Sequence, residues 1–209
     1  MTNTTLRRSA GIVAATVALG LGLAACGSSN SSDSAAGTTS TMSSKAAASG
    51  AGAQTFGPAC SAIPKTGKGS FDGMVKDPVA TAASNNPLLS TLVTAVTKAG
   101  LADTLNGADG LTVFAPTNDA FAKLPKATLD KVLADKTMLT EILTHHVVGG
   151  KLSPTAVVGT QQTLNKDDVT VSGDTSGMTV DGAKVLCGNI PTANATVYVI
   201  DTVLMPKSM

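Results

Sequence analysis

A chain of 209 residues with 43% hydrophobic content is long enough for one packed domain with appendages. Aromatics make up only 2%, tryptophan is absent, and the net charge of +1 includes the only two arginines, Arg7 and Arg8; beyond residue 25 there are 13 lysines against 14 acidic residues, a net charge of −1. Such a chain lacks the guanidinium forks and stacking platforms that grip phosphate and base, which excludes nucleic acid as a partner.

Residues 1–25 follow the plan of a secretory signal peptide. Arg7-Arg8 give a positive start, Gly11 to Leu21 a short apolar run, and Leu23-Ala24-Ala25-Cys26 an end in small residues. The apolar run is too short to cross a hydrocarbon core of ~30 Å comfortably as a helix. Ending on cysteine resembles the bacterial lipobox, which implies cleavage before Cys26 and thioether lipidation of its sulfur. Each buried methylene of palmitate-type chains would add about 0.8 kcal/mol of membrane affinity, so the membrane is the partner expected at this end.

Residues 26–57 are Ser, Ala, Gly and Thr with few charges. They bury too little apolar surface to offset chain entropy and are predicted to be a disordered tether, with a mean reach of roughly 30 Å. Thr38, Thr39 and Thr41 lie in the kind of tract that accepts O-linked sugar.

The folded domain is placed at residues 58–209. With Cys26 lipidated, Cys60 and Cys187 remain as an even pair in an oxidising compartment, which predicts a disulfide. Closing so long a loop corresponds to roughly 5 kcal/mol of chain entropy as an upper figure. The alternative, a pair of thiols for a metal, is poorly served by their separation and by the lack of any Cys-x-x-Cys.

Asp77-Pro78 reads as a helix start, with Val79, Ala82 and Ala83 on one side. Ser84 to Pro87 breaks that helix and caps the next, in which Leu88, Leu89, Leu92, Val93 and Val96 follow helical spacing until Gly100. Thr112-Val113-Phe114 reads as a short buried strand. Ala115-Pro116 stops it, since proline has no N–H for a ladder. Thr117, Asn118 and Asp119 are each able to cap the helix that Ala120-Phe121 begins. Pro125 opens another helix, and Thr137 caps the one holding Met138, Leu139, Ile142 and Leu143.

Beyond Val147 the period changes. Ser153-Pro154 is expected to nucleate a last helical turn. Val169 and Val171, then Met178 and Val180, alternate with polar residues, Asp181-Gly182 signals a hairpin, and Val197 to Leu204 makes a long strand. Early helices and late antiparallel strands predict an α+β domain, N-terminal helices packed on a C-terminal, mainly antiparallel sheet.

Three blocks in this order resemble the fasciclin domain: Thr112 to Phe121, Ile142-Leu143-Thr144-His145-His146-Val147-Val148, and Thr196 to Pro206. The likeness spans about Pro78 to Pro206. It implies a single fasciclin-like domain, the fold of many cell-surface adhesion modules; the whole chain is most similar to mycobacterial-type fasciclin-domain surface lipoproteins and their secreted relatives. It also implies structural roles for Phe114, Pro116, Phe121 and His146. His146 falls on the family's histidine, which serves core packing and hydrogen bonding. His145 stands where many relatives have tyrosine, a departure from the Tyr-His motif proposed for adhesion in animal members.

Neighbouring residues on a helix point about 100° apart, so His145 and His146 do not converge on one metal. His146 is expected inside and His145 on the solvated surface. Asp167-Asp168 reads as a solvated loop tip and Glu141 as a solvent-facing helix residue. There is no Gly-x-Ser-x-Gly elbow, phosphate loop, dinucleotide fingerprint, EF-hand or zinc spacing. No catalytic residue, metal or cofactor is therefore predicted. The expected function is that of a lipid-anchored, non-catalytic adhesion or interaction module on the extracytoplasmic face of the cell membrane, with a shed or secreted form as the alternative, that meets a protein or glycan. Asn118, Asp119, His145 and Lys151 are the partner-binding candidates, placed together at a helical end away from Cys60. The alternative function is an extracytoplasmic carrier of haem or a hydrophobic compound.

Overall fold

The computed structural model describes residues 50–206. The predicted signal peptide, Cys26 and the predicted tether up to residue 49 lie outside the described residues. Seven helices and seven strands follow in order: α1 (Phe71–Met74), α2 (Val79–Ser84), α3 (Ser90–Ala99), α4 (Ala102–Gly107), β1 (Leu111–Pro116), α5 (Asn118–Ala122), α6 (Lys126–Ala134), α7 (Lys136–His145), β2 (Val147–Gly149), β3 (Gly159–Gln162), β4 (Asp168–Asp174), β5 (Gly177–Val180), β6 (Ala183–Pro191) and β7 (Ala195–Ile200). The α+β reading holds.

The strands form one sheet in the order β2-β1-β7-β6-β5-β4-β3. Only β1 and β7 run parallel; the other pairs are antiparallel. A bridge from Val148 to Thr163 joins the two outer strands, so the sheet curls back on itself. This leaves little open edge for another chain to extend.

Alternation along the central strands divides the core in two. Val113, Ala115, Val197 and Val199 face the helices, beside Leu92, Ala95, Leu139 and Ile142. Phe114, Tyr198 and Ile200 face the other side, among Val148, Val157, Val169, Val171 and Val180. With so few aromatics the second core is organised around one cluster: Tyr198 meets Phe114 at 5.9 Å and Phe56 at 6.3 Å between ring centroids. The Tyr198 hydroxyl donates to Leu152 O at 3.0 Å, which satisfies the polar tip of a buried ring.

Phe56 corrects the expected domain boundary. It is only 9% exposed. Its N–H donates to Gly188 O at 3.2 Å and its carbonyl accepts from Gly188 N at 2.8 Å. Gly188 is required there, because a Cβ would lie 2.4 Å from the Phe56 ring. Residues 50–57 therefore belong to the packed domain. Low-complexity composition concealed one aromatic that buries well. The pairing of Cys60 with Cys187 on β6 then fastens this approach, with Cα atoms 4.9 Å apart.

Other local expectations shift by a residue or two. β1 continues through Pro116, which sits opposite Ile200. The missing proline donor is bypassed when Thr117 N donates to Ile200 O at 3.1 Å. Asp135, not Thr137, caps α7, its Oδ1 accepting from Thr137 N at 2.9 Å and Met138 N at 3.2 Å. Ser153-Pro154 makes a turn, with Val157 N donating to Ser153 O, but no helix follows.

Candidate functional site

Thr117 is the residue that caps α5; its Oγ1 accepts from Ala120 N at 3.2 Å. Asn118 joins neighbouring elements instead. Its Oδ1 accepts from Thr91 N at 2.9 Å and Ser90 Oγ at 3.1 Å, and its Nδ2 donates to Pro87 O at 2.9 Å. The carboxamide thus supplies a partner at the start of α3, where helical N–H groups have none of their own. Asp119, one position on, is exposed.

α7 ends on His145, and the chain enters β2 through His146, whose carbonyl accepts from Phe114 N at 2.9 Å. The helix end is therefore docked on β1 by backbone. His146 is 2% exposed and both of its ring nitrogens are occupied. Nδ1 lies 2.7 Å from Ile142 O and must donate to it; Nε2 accepts from Leu204 N at 3.0 Å. Burial is the main force on this ring and lowers its pKa to about 4, against the hydrogen bond to Ile142 and helped by neighbouring His145. His146 is thus buried and hydrogen-bonded within the core.

His145 departs from expectation. It is 1% exposed rather than solvated. Its Nδ1 lies 2.7 Å from Asp167 Oδ2, off the N–H axis, and Nε2 has no partner. Asp167 in turn is no loop tip. Its carboxylate accepts from the Thr163 hydroxyl and, at 3.1 Å, from Asn165 Nδ2. Partial burial works to raise its pKa, but the hydrogen bonds from Thr163 and Asn165, with the His145 ring close by, outweigh it and hold the group below the usual carboxylate range. Sequence spacing gave no sign of this meeting. The turn over 163–167 closes on Lys166 at φ 66°, a left-handed position that glycine or asparagine would have advertised.

The four candidates for partner binding do not come together. Lys151 lies beside Gly110, ahead of β1, and donates to Thr192 O and Ala193 O, both at 3.2 Å. Asn118 and Asp119 follow the far end of that six-residue strand, roughly 20 Å away at the usual rise. Cys187 is level with Val199, and Val199 with Ala115, so the disulfide is on the Asn118 side along the strands. The expected common face away from Cys60 is thus divided: Lys151 is distant from the bridge, Asn118 and Asp119 are not, and His145 is inside.

Among the described residues, no group of three His, Cys, Asp or Glu side chains is placed to hold a metal ion, and no helix is long and apolar enough to cross a membrane.

Residues 87–206 match the model of the fasciclin domain. The chain is 54% identical over 148 residues to the cell surface glycolipoprotein MPB83 of Mycobacterium bovis, covering 68% of this chain and 67% of that protein. It is 50% identical over 166 residues to the immunogenic protein MPB70 of the same species, covering 76% and 86%. Protein sll1483 of Synechocystis is 39% identical over 127 residues, covering 59% and 71%. Among solved structures, a FAS1 domain pair from the insect cell adhesion molecule Fasciclin I aligns with a TM-score of 0.53 at 17% identity, over 65% of this chain and 53% of that one, a likeness of fold.

Proposed function

The chain belongs to the fasciclin family, and on that premise we propose that it works as a non-catalytic interaction module on the extracytoplasmic face of the cell membrane. The observation that carries this reading is the 54% identity, across the domain, to a protein described as a cell surface glycolipoprotein. A module of this kind acts through its surface, where specific interfaces combine a compact apolar patch with a polar rim.

In this reading the Leu23-Ala24-Ala25-Cys26 motif is cleaved before Cys26, and the acylated sulfur holds the protein on the membrane. Intact-mass measurement of the membrane fraction would then find a chain starting at acylated Cys26, and Cys26→Ser would release the protein. An unmodified N-terminus in the native protein would rule the anchor out.

The partner is a protein or glycan of the cell envelope or a host surface. Asp119 and Lys151 are the exposed candidates to touch it; Asn118 and His145 support the scaffold from within. The deciding experiment is capture of envelope and host-surface material by the folded protein, with Asp119→Ala and Lys151→Ala compared separately. Undiminished capture by both variants would place the binding face elsewhere.

A further inference from the structure

We propose that the cleft between α2, α3 and α4 binds the hydrocarbon chain of an uncharged, hydroxyl-headed amphiphile, such as a medium-chain alcohol or a monoester of glycerol. The cleft encloses about 210 Å³, against about 20 Å³ for a second cavity nearby. Protein interiors rarely leave space beyond a single water, and an apolar cavity of ~150 Å³ already stays dry and takes up benzene. A void of this size beside an otherwise filled core is room for a ligand.

Its lining is graded from end to end. The floor is Val113 of β1 with Leu143 and Val147, and the walls are Leu92, Val96 and Leu105, all buried. The mouth is Thr81, Ser84 and Thr97, all exposed. No charged side chain lines any part of it. An ion drawn into such a space would lose its hydration without a partner, so the buried portion of the ligand must be hydrocarbon. Ala80, Ala83 and Ala102 line the cleft where larger apolar side chains would have closed it.

The rim selects the head group. Ser84 Oγ donates to Thr81 O at 2.7 Å and Thr97 Oγ1 donates to Val93 O at 2.9 Å. Thr81 Oγ1 accepts from Asn106 Nδ2 at 3.4 Å and keeps its own proton to donate, so the rim both donates and accepts but carries no charge. With hydroxyl and amide groups but no cation, the mouth suits an uncharged hydroxyl head, which both donates and accepts, better than a carboxylate, whose charge finds no counter-ion there. His146 reaches the cleft with both ring nitrogens occupied, so it offers no ligand to haem iron.

The test is calorimetric titration of the full-length chain with 1-alkanols from butanol to dodecanol. At roughly 30 Å³ per heavy atom the cleft holds a chain of about seven or eight carbons. Affinity should rise about fourfold per methylene, the factor for transferring one such group from water, and level off near octanol at one molecule per chain. Octanoate should bind more weakly than 1-octanol. Ala102→Phe should abolish binding, and Ala80→Leu serves as a second filling variant should the first not fold. Ala127→Phe, which adds the same ring at an exposed position on α6, should bind as the native chain does. Absence of saturable octanol binding, affinity still climbing at dodecanol, or unchanged binding by a folded filling variant would overturn the proposal.

Discussion

His146 Nε2 accepts a hydrogen bond from Leu204 N at 3.0 Å across 58 residues of sequence, so the end of α7 and the segment after β7 share one ring. The other nitrogen closes on Ile142 O within the helix. One neutral imidazole thus joins the end of α7 to the segment after β7 at the seam between the helices and the sheet.

Replacing that ring by an apolar one of similar size should be costly without opening a cavity. In His146→Phe the Leu204 N–H is left buried and unpaired, while Ile142 O keeps its bond from His146 N. An orphaned buried donor costs about 1–3 kcal/mol, so stability should fall by roughly that amount. Denaturant titration should show a lower midpoint with an unchanged slope.

The same residue gives the fold a pH dependence of definite sign. Its pKa is about 4 in the folded protein, against ~6.5 for an unperturbed histidine. Between those values the unfolded chain binds a proton that the native state does not, so stability rises with pH. Its contribution is complete above pH ~6.5 and declines toward pH ~4, by up to about 3 kcal/mol. Asp167, held below the usual carboxylate range, adds a loss at lower pH still, as the medium falls through the ordinary carboxylate value and below. Unfolding midpoints at pH 7.5 and 4.5 should differ accordingly, and most of that difference should vanish in His146→Phe.

The bridge between Cys60 and Cys187 holds the N-terminal approach to β6 over 127 residues of separation. Peptide mapping without reductant should recover the linked pair, and reduction should lower the melting temperature. The Cys60→Ala/Cys187→Ala protein should be about 2–5 kcal/mol less stable. Two alkylatable thiols in native exported protein would contradict the linkage.

The central aromatics test the two-core arrangement. Phe114 is fully buried against Tyr198, and Phe121 lies on the helix side of the sheet. Each Phe→Ala change should cost about 3–5 kcal/mol through the cavity it leaves. The two sites occupy different cores, so their effects should add to within about half a kcal/mol in the double variant.

Local chemistry made much of this fold legible. Pro116 followed by Thr117 marked the strand-to-helix corner, Gly100 marked the end of α3 with its φ of 74°, and Asp181-Gly182 marked the hairpin between β5 and β6. Each is a short-range signal, decided by backbone geometry within a few residues. The candidate site was less legible because it depends on what the fold brings together. His145 and Asp167 are 22 positions apart and meet only because the sheet curls until Thr163 reaches Val148. Asn118 looked like a free polar residue because its three partners lie about 30 positions earlier. The cleft has no local pattern at all; it arises where three helices approach one another with alanines between them.

His145 and Asp167 supply the last prediction. The imidazole is buried and its Nδ1 lies 2.7 Å from a carboxylate that is partly exposed. Removing either group alone therefore has unequal consequences. Asp167→Ala strips the buried ring of its neighbour and also frees the Thr163 hydroxyl, so about 2 kcal/mol should be lost. In a His145→Phe background there is no imidazole left to strand, and the same change should cost less by about 1 kcal/mol. Residues in direct contact give coupling energies of about 0.5–3 kcal/mol, whereas independent sites add to within about half a kcal/mol. A double-mutant cycle by denaturant titration at pH 7 reads that difference directly. A coupling outside the additive range would show that His145 fastens the turn before β4 to the end of α7. Additive costs would mean that the two side chains are neighbours without an energetic link, and that the turn is held by Thr163 and Asn165 alone.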